Sequence, residues 1–353
     1  MAKSTVQDIA DQVNALMGKD VVRIASDPDF KVEYYQTGVL PIDVLLGGGI
    51  PKGRITEFYG DFSTLKSYVA LKTVAEAQRD GGTCVLIDTE HSFDPDWAES
   101  LGVDIDKLIV QHPETGEMAV DVTEAFIRAK VDLIVWDSVA ATLPKDEQEK
   151  RAIDAHQPAR LAALMSRAMR KLTAANDKTA MICINQTREK VGIVFGSSET
   201  TPGGKALPFY ASYRVAMRKA GKIQQEIKVH DGEKWNKGKL VTGHRIRSTL
   251  EKSKLSAPNR EVTFIFDLTQ AGVDEQKFVV GYGLEMGLVE VDGQSWKIPS
   301  LKDFKPVRGR ENFINALRED EETMNHLRQT LLTLSLGKEP ELPKSEDEKP
   351  SDG

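Results

Sequence analysis

Cysteine and histidine are scarce in this chain. Two cysteines and six histidines occur in 353 residues, and neither type falls at the spacing of zinc ligands, which argues against a zinc module. Cys84 in TCVLID and Cys183 in AMICIN sit inside apolar runs that read as buried strands. That setting suits reduced thiols in a reducing compartment rather than a disulfide framework. Long apolar runs are also missing: none is long enough to cross a bilayer, and the opening MAKSTVQDIADQV lacks the apolar stretch of a secretory leader. A cytoplasmic protein with no membrane partner is expected. An excess of positive charge is absent too, with a formal net charge of −7, which on its face disfavours nucleic acid.

The distribution of charge reverses that reading. Between Arg214 and Lys254 there are twelve Lys/Arg and four Asp/Glu, whereas the tail from Glu339 holds six acids and two lysines. A basic stripe binds phosphates whatever the global sign, and an acidic tail competes for it. For a charge run taken alone, a solvated face is the simpler reading.

Residues 5–17, TVQDIADQVNALM, place Val6, Ile9, Ala10, Val13, Leu16 and Met17 on one helical face that must be buried, either on its own core or on a neighbouring subunit. From Gly38 to Phe266 apolar runs alternate with amphipathic segments. RITEFYG, TCVLIDTE, KLIVQH, LIVWDS and AMICINQ read as strands buried on both faces, and stretches such as SYVALKTVAEAQRDG and RLAALMSRAMRKLTAAN read as the helices between them. The alternation predicts an α/β fold with a mostly parallel sheet. Ligands of such sheets bind beyond the carboxyl ends of the strands, here Gly60, Glu90, Asp137 and Gln186. After Asp267 the pattern predicts a helix, a hairpin turning at Asp292-Gly293 and helices from Arg310 to Leu336, in a second, smaller domain. The expected division is an N-terminal segment 1–33, a core 34–266, a C-terminal domain 267–336 and an acidic tail 337–353 rich in Pro, Glu, Ser, Asp and Lys that predicts no stable structure.

The strand ends carry the chemistry. Gly60, four residues, then Leu65, Lys66 and Ser67 form a phosphate-binding loop in which leucine stands where glycine normally precedes the lysine. The lysine neutralises β/γ-phosphate charge and the hydroxyl serves Mg²⁺. A left-handed leucine there costs about 1–2 kcal/mol, small beside the binding of a nucleoside triphosphate. Asp137 follows four apolar residues in LIVWDS, the setting of a carboxylate that holds Mg²⁺ through water. Glu90 points into the same crevice, where a carboxylate activates water. Each acid taken alone also reads as a turn or surface residue. Gln186 leads into TREKVGIVFGSSETTPGGKA, too polar and too long for an ordinary connection.

Together with IDTEHSFDP, DSVAATLPKDE, MSRAMRKL, INQTREKVGIVFGSSETTPGGKALPFYAS and EKSKLSAP, these residues resemble the RecA family of bacterial and phage DNA-strand-exchange recombinases over nearly the whole chain. The resemblance implies a RecA-type P-loop ATPase core that takes ATP and Mg²⁺ and assembles with itself as a helical filament on single-stranded DNA, pairing it with double-stranded DNA. It implies that Gly60, Asp61, Phe62, Ser63, Thr64, Leu65, Lys66, Ser67 and Tyr68 form the nucleotide loop, that Ser67 and Asp137 serve the metal, and that Asp94 and Trp97 flank the adenine. It makes Glu90 the catalytic carboxylate and Gln186 the γ-phosphate sensor. Lys252 and Lys254 would reach a neighbour's nucleotide, and Phe209 is an interface aromatic. Residues 187–206, with Arg188, Lys190, Gly192, Ile193, Val194, Phe195, Gly203, Gly204 and Lys205, match one DNA loop. Residues 147–157, with Lys150 and Arg151, match the other. Lys297, Lys302, Lys305, Arg308 and Arg310 would face incoming duplex.

Three departures stand out: Leu65 for glycine, Asp61 and Phe62 in the loop, and the Lys150-Arg151 pair with one extra residue after His156. They leave a second reading, a nucleotide-binding DNA-filament scaffold with little ATP hydrolysis. A helicase or clock-type ATPase is disfavoured by the INQTREK and EKSKLSAP segments.

Overall fold

The computed structural model describes residues 5–19, 21–148, 158–189, 199–230 and 234–338. Lys150, Arg151, Lys190, Gly192, Ile193, Val194 and Phe195, for which DNA contacts are expected, and the tail from residue 339 lie outside these residues. The chain divides into two compact units, Met1–Tyr34 and Tyr35–Gly353.

In the first unit a helix runs Val6–Met17. Thr5 and Asp8 cap it reciprocally, the Thr5 hydroxyl accepting from the Asp8 N–H at 3.2 Å and the Asp8 carboxylate from the Thr5 N–H at 2.8 Å. Gly18, at φ 65°, ends it in the left-handed conformation glycine favours. Asn14 then folds the following segment back by accepting from the N–H groups of Val21 and Val22. Of the apolar face, Ala10 is buried, whereas Val6, Ile9, Leu16 and Met17 are exposed.

The second unit is built on a nine-stranded sheet. Its strands in chain order are β1 Ile55–Gly60, β2 Cys84–Asp88, β3 Leu108–Gln111, β4 Leu133–Asp137, β5 Ala180–Gln186, β6 Tyr213–His230, β7 Trp235–Ser253, β8 Arg260–Asp267 and β9 Gly272–Val273. The spatial order is β9-β8-β7-β6-β1-β5-β4-β2-β3. Pairing is parallel from β6 through β1 to β3 and antiparallel from β6 to β9. All five apolar runs are parallel strands, and four of them are buried almost throughout because helices cover both faces; β3, at the sheet edge, is buried only at Leu108. One such layer joins Ile134, Trp136 and Cys183 to Met165, Met169 and Leu172 of the helix Pro158–Ala175. Burial pushes the Cys84 thiol up to about 12, so it stays protonated and inert.

Strand β1 lies where the chain turns from one half of the sheet to the other, with β5 on one side and β6 on the other. Such a reversal opens a crevice at the carboxyl ends. Gly60 ends β1 against β6 so closely that a Cβ would meet the Met217 carbonyl oxygen at 2.0 Å. Beyond β9, a helix Glu275–Glu285, the hairpin Glu290–Asp292 and Ser295–Lys297, and helices Arg310–Glu319 and Glu321–Ser335 complete the unit. The hairpin turns at Gly293, φ 59°.

Candidate functional site

The loop 60–65 runs from the end of β1 into the helix Lys66–Arg79, whose first N–H groups have no partner within the helix and favour an anion. Leu65 takes φ 72° and ψ 18°, the left-handed conformation in which its Cβ is strained. Ser63, at φ 53°, is left-handed too. Thr64 is buried and donates to the Asp61 carbonyl at 2.8 Å. Lys66 donates to the carbonyls of Gly60 at 3.1 Å and Asp61 at 2.7 Å. Burial depresses its pKa, against the pull of Asp137 and Glu90. Phe62 is exposed, with the Lys219 ammonium 4.9 Å from its ring centre. The Tyr68 side chain lies in the core, edge-on to Phe266 at 5.1 Å, so what Tyr68 presents to the loop is its backbone N–H.

At the neighbouring strand ends two clusters meet. The Ser67 hydroxyl donates to the Asp137 carboxylate at 2.6 Å. Burial pushes Asp137 up to about 6, opposed by that hydrogen bond. Beside them the Gln186 amide donates to Glu90 Oε1 at 3.0 Å, and the Ser138 hydroxyl donates to the same oxygen. Glu90 itself sits on a turn gathered round buried Asp88, which accepts from the N–H groups of Glu90 at 3.1 Å and of Ser92 and Phe93 at 3.0 Å. His112 adds an Nδ1 contact of 3.4 Å to Asp88 and stacks on His91.

Among the described residues no group of three or more His, Cys, Asp and Glu side chains is arranged to hold a metal ion. One carboxylate and one hydroxyl in contact, at a helix N-terminus, fit Mg²⁺ instead, which keeps most of its water and takes phosphate oxygens as ligands.

Gln186 also stands at the root of the long polar loop. Arg188 and Glu189 pair antiparallel with Thr200 and Glu199, closing the ends of that loop into a short ladder. Below it a buried network crosses three strands. Asn185 donates to Glu57 and to the Pro202 carbonyl, each at 3.1 Å, and Arg214 donates to the other Glu57 oxygen at 2.5 Å. Gly203 and Gly204 are left-handed at φ 86° and 72°, and Lys205 is exposed.

Asp94 caps the short helix Pro95–Ser100 by accepting from the Trp97 N–H at 3.1 Å, and Trp97 is exposed on that helix. Lys252 donates to the carbonyls of Pro208 at 2.7 Å and Phe209 at 2.8 Å, and Lys254 to that of Tyr210 at 3.2 Å. They form one surface with Phe209, which is 70% exposed. Lys297 pairs with Glu290 at 2.9 Å, and Lys302, Lys305, Arg308 and Arg310 are exposed.

Four residues of these networks are not among those the sequence singles out: Ser138, Asp88, Glu57 and Arg214. Glu57 had a visible signal, a lone acid inside the apolar run RITEFYG, since a carboxylate that faces the core requires a partner. Ser138 and Asp88 flank residues that were read as functional, and only the fold reveals which way each side chain turns.

Residues 4–272 match the family model described as RecA N-terminal domain. Protein RecA of Caldanaerobacter subterraneus subsp. tengcongensis is 40% identical over 316 residues, 88% of this chain and 87% of the relative. Protein RecA of Clostridium novyi is 42% identical over 314 residues, covering 88% and 85%, and that of Rickettsia africae 40% identical over 322, covering 90% and 89%.

Proposed function

This chain belongs to the RecA family, and from that membership we propose that it is an ATP-dependent recombinase that assembles on single-stranded DNA and pairs it with homologous duplex. The observation that carries the proposal is the hydrogen bond from Gln186 to Glu90. It joins the carboxylate beside the phosphate loop to the residue from which the polar loop departs, so one side chain touches both halves of a DNA-dependent ATPase.

In this reading Lys66 leaves its loop carbonyls for phosphate oxygens, and the N-terminus of the helix Lys66–Arg79 supplies backbone donors. Ser67 and Asp137 would hold Mg²⁺, which neutralises charge on the phosphates. Glu90, oriented by Ser138 and Gln186, accepts a proton from the attacking water. When the γ-phosphate engages Gln186, its bond to Glu90 is released or redirected, and the ladder at Arg188–Glu189 transmits the change to residues 190–198. Those residues, with Lys205 and the segment holding Lys150 and Arg151, are assigned to the DNA backbone, giving strongly salt-dependent binding. Asp94 and Trp97 are assigned to the adenine side.

The filament follows from surfaces left open. Exposed Phe209 and Lys254 lie beside half-buried Lys252, and Val6, Ile9, Leu16 and Met17 form an apolar helical face in solvent. Each suits a neighbouring protomer, which would complete the charge on the nucleotide. The scaffold reading finds nothing to favour it: left-handed Leu65 leaves Lys66, Ser67, Asp137 and Glu90 converging on one crevice.

The test is Gln186→Ala. The expected result is retained nucleotide binding with loss of most of the stimulation of hydrolysis by single-stranded DNA. Stimulation equal to that of the unmodified protein would remove Gln186 from the coupling.

A further inference from the structure

Strands β6 and β7 pair with each other far beyond the rest of the sheet. β6 contacts β1 only over Tyr213–Met217, and β7 contacts β8 only over Gly243–Leu250. From Gln224↔Val241 to His230↔Trp235 they form a two-stranded ribbon that pairs with no other strand among the described residues, projecting roughly 20 Å at about 3.4 Å per residue. Irregularities of register at Lys219/Gly221 and Ile223/Gln224 mark its root, and such bulges bend and re-aim a strand.

The side chains divide by face. Opposed residues in an antiparallel pair share a face, so Glu226↔Lys239 and Lys228↔Lys237 belong to one, and Gln225↔Leu240 and Ile227↔Gly238 to the other. The first face is basic. Its one acid, Glu226, lies 4.0 Å from Lys237 in a contact open to solvent, worth little. Lys222, Lys228 and Lys239 are exposed and make no ion pair among the described residues. At the tip Trp235 is 68% exposed, and Leu240 on the second face is 49% exposed. Lysines alone would suit the blunting of an open strand edge against aggregation. An exposed tryptophan at the tip does the opposite, and the combination of ammonium groups with a flat apolar ring is that of a nucleic-acid contact.

We propose that this ribbon is a duplex-DNA contact, with Lys228, Lys237 and Lys239 of its basic face and Lys222 at its root on the phosphates and the ribbon lying along the major groove, which is wide enough for two strands. It is separate from the loops assigned to single-stranded DNA. The proposal rests on the recombinase reading, because duplex is a partner only in that reading.

The experiment compares two variants of the full chain with the unmodified protein: Lys222, Lys228, Lys237 and Lys239 all changed to Gln, and the same four changed to Arg. Filaments preassembled on single-stranded DNA with ATP are titrated with a labelled heterologous duplex across a salt series, and DNA-stimulated ATP hydrolysis is measured in parallel. The expected result for the Gln variant is duplex binding weakened about 10- to 100-fold at moderate salt and a salt slope reduced by up to about 3–4. Its single-strand-stimulated hydrolysis stays within about 2-fold, and the Arg variant binds duplex as the unmodified protein does. Unchanged duplex affinity and slope in the Gln variant overturn the proposal; if that variant also self-associates, the lysines guard the strand edges instead. Equal loss in the Gln and Arg variants overturns it as well, since charge would not be the cause. Failure of the unmodified protein to hydrolyse ATP with single-stranded DNA would overturn the recombinase reading itself.

Discussion

At the scale of single residues, Glu90 bears on the chemistry, and Leu65 and Asp43 bear on stability. Glu90 is the proposed base, and Glu90→Gln keeps its hydrogen-bond geometry while removing the proton acceptor. Hydrolysis is expected to fall at least about 100-fold with nucleotide-dependent DNA binding retained; near-normal turnover in that variant would remove Glu90 from catalysis. Leu65 carries left-handed strain of about 1–2 kcal/mol, which glycine would relieve while losing part of the gain to chain entropy. Leu65→Gly is therefore expected to raise stability by no more than about 1 kcal/mol, read as a shift in urea midpoint, with turnover in the same range as the unmodified protein. Asp43 is fully buried, and burial pushes its pKa up to about 8 even though the Thr37 N–H donates to it at 2.7 Å. The sign is that of a raised acid. Folded Asp43 keeps its proton over a window from roughly pH 4 to about 8 in which the unfolded chain has lost it. Its contribution is complete below that window and lost as pH rises through it. Asp43→Asn is expected to flatten the decline in unfolding free energy between pH 5 and 8, and parallel curves for the two proteins would refute the assignment.

At the scale of elements, the parallel strands were legible because burial on both faces imposes unbroken apolar runs, and each of the five runs became a strand of the central sheet. The crevice followed from the same logic, since Gly60, Asp137 and Gln186 end their strands and Glu90 lies just past the end of β2. Two things were not legible. The ribbon of β6 and β7 is exposed on both faces, so no apolar alternation announces its length. The Glu57–Arg214 pair depends on β1 lying beside β6, a neighbour relation between segments more than a hundred residues apart. Removing one partner of such a pair leaves a buried charge, so Arg214→Ala is expected to cost about 3–5 kcal/mol in a denaturation experiment. A loss under about 1 kcal/mol would show that Glu57 is relieved in another way.

At the scale of the whole molecule, the proposed function requires that assembly, nucleotide and DNA be linked. In the proposed function the exposed helical face of Val6–Met17 and the Phe209 patch would supply the contacts between protomers, the crevice would sense the nucleotide, and the ladder at Arg188 would carry that state to the DNA side. Lys66→Ala is expected to abolish nucleotide-dependent assembly, seen as loss of ATP-driven sedimentation with single-stranded DNA. The most direct test of the central claim is steady-state ATP hydrolysis by the purified protein with and without single-stranded DNA. Turnover is expected to rise clearly when the DNA is added. Nucleotide-dependent DNA binding without any turnover would contradict it and leave a filament in which ATP serves only to hold the structure.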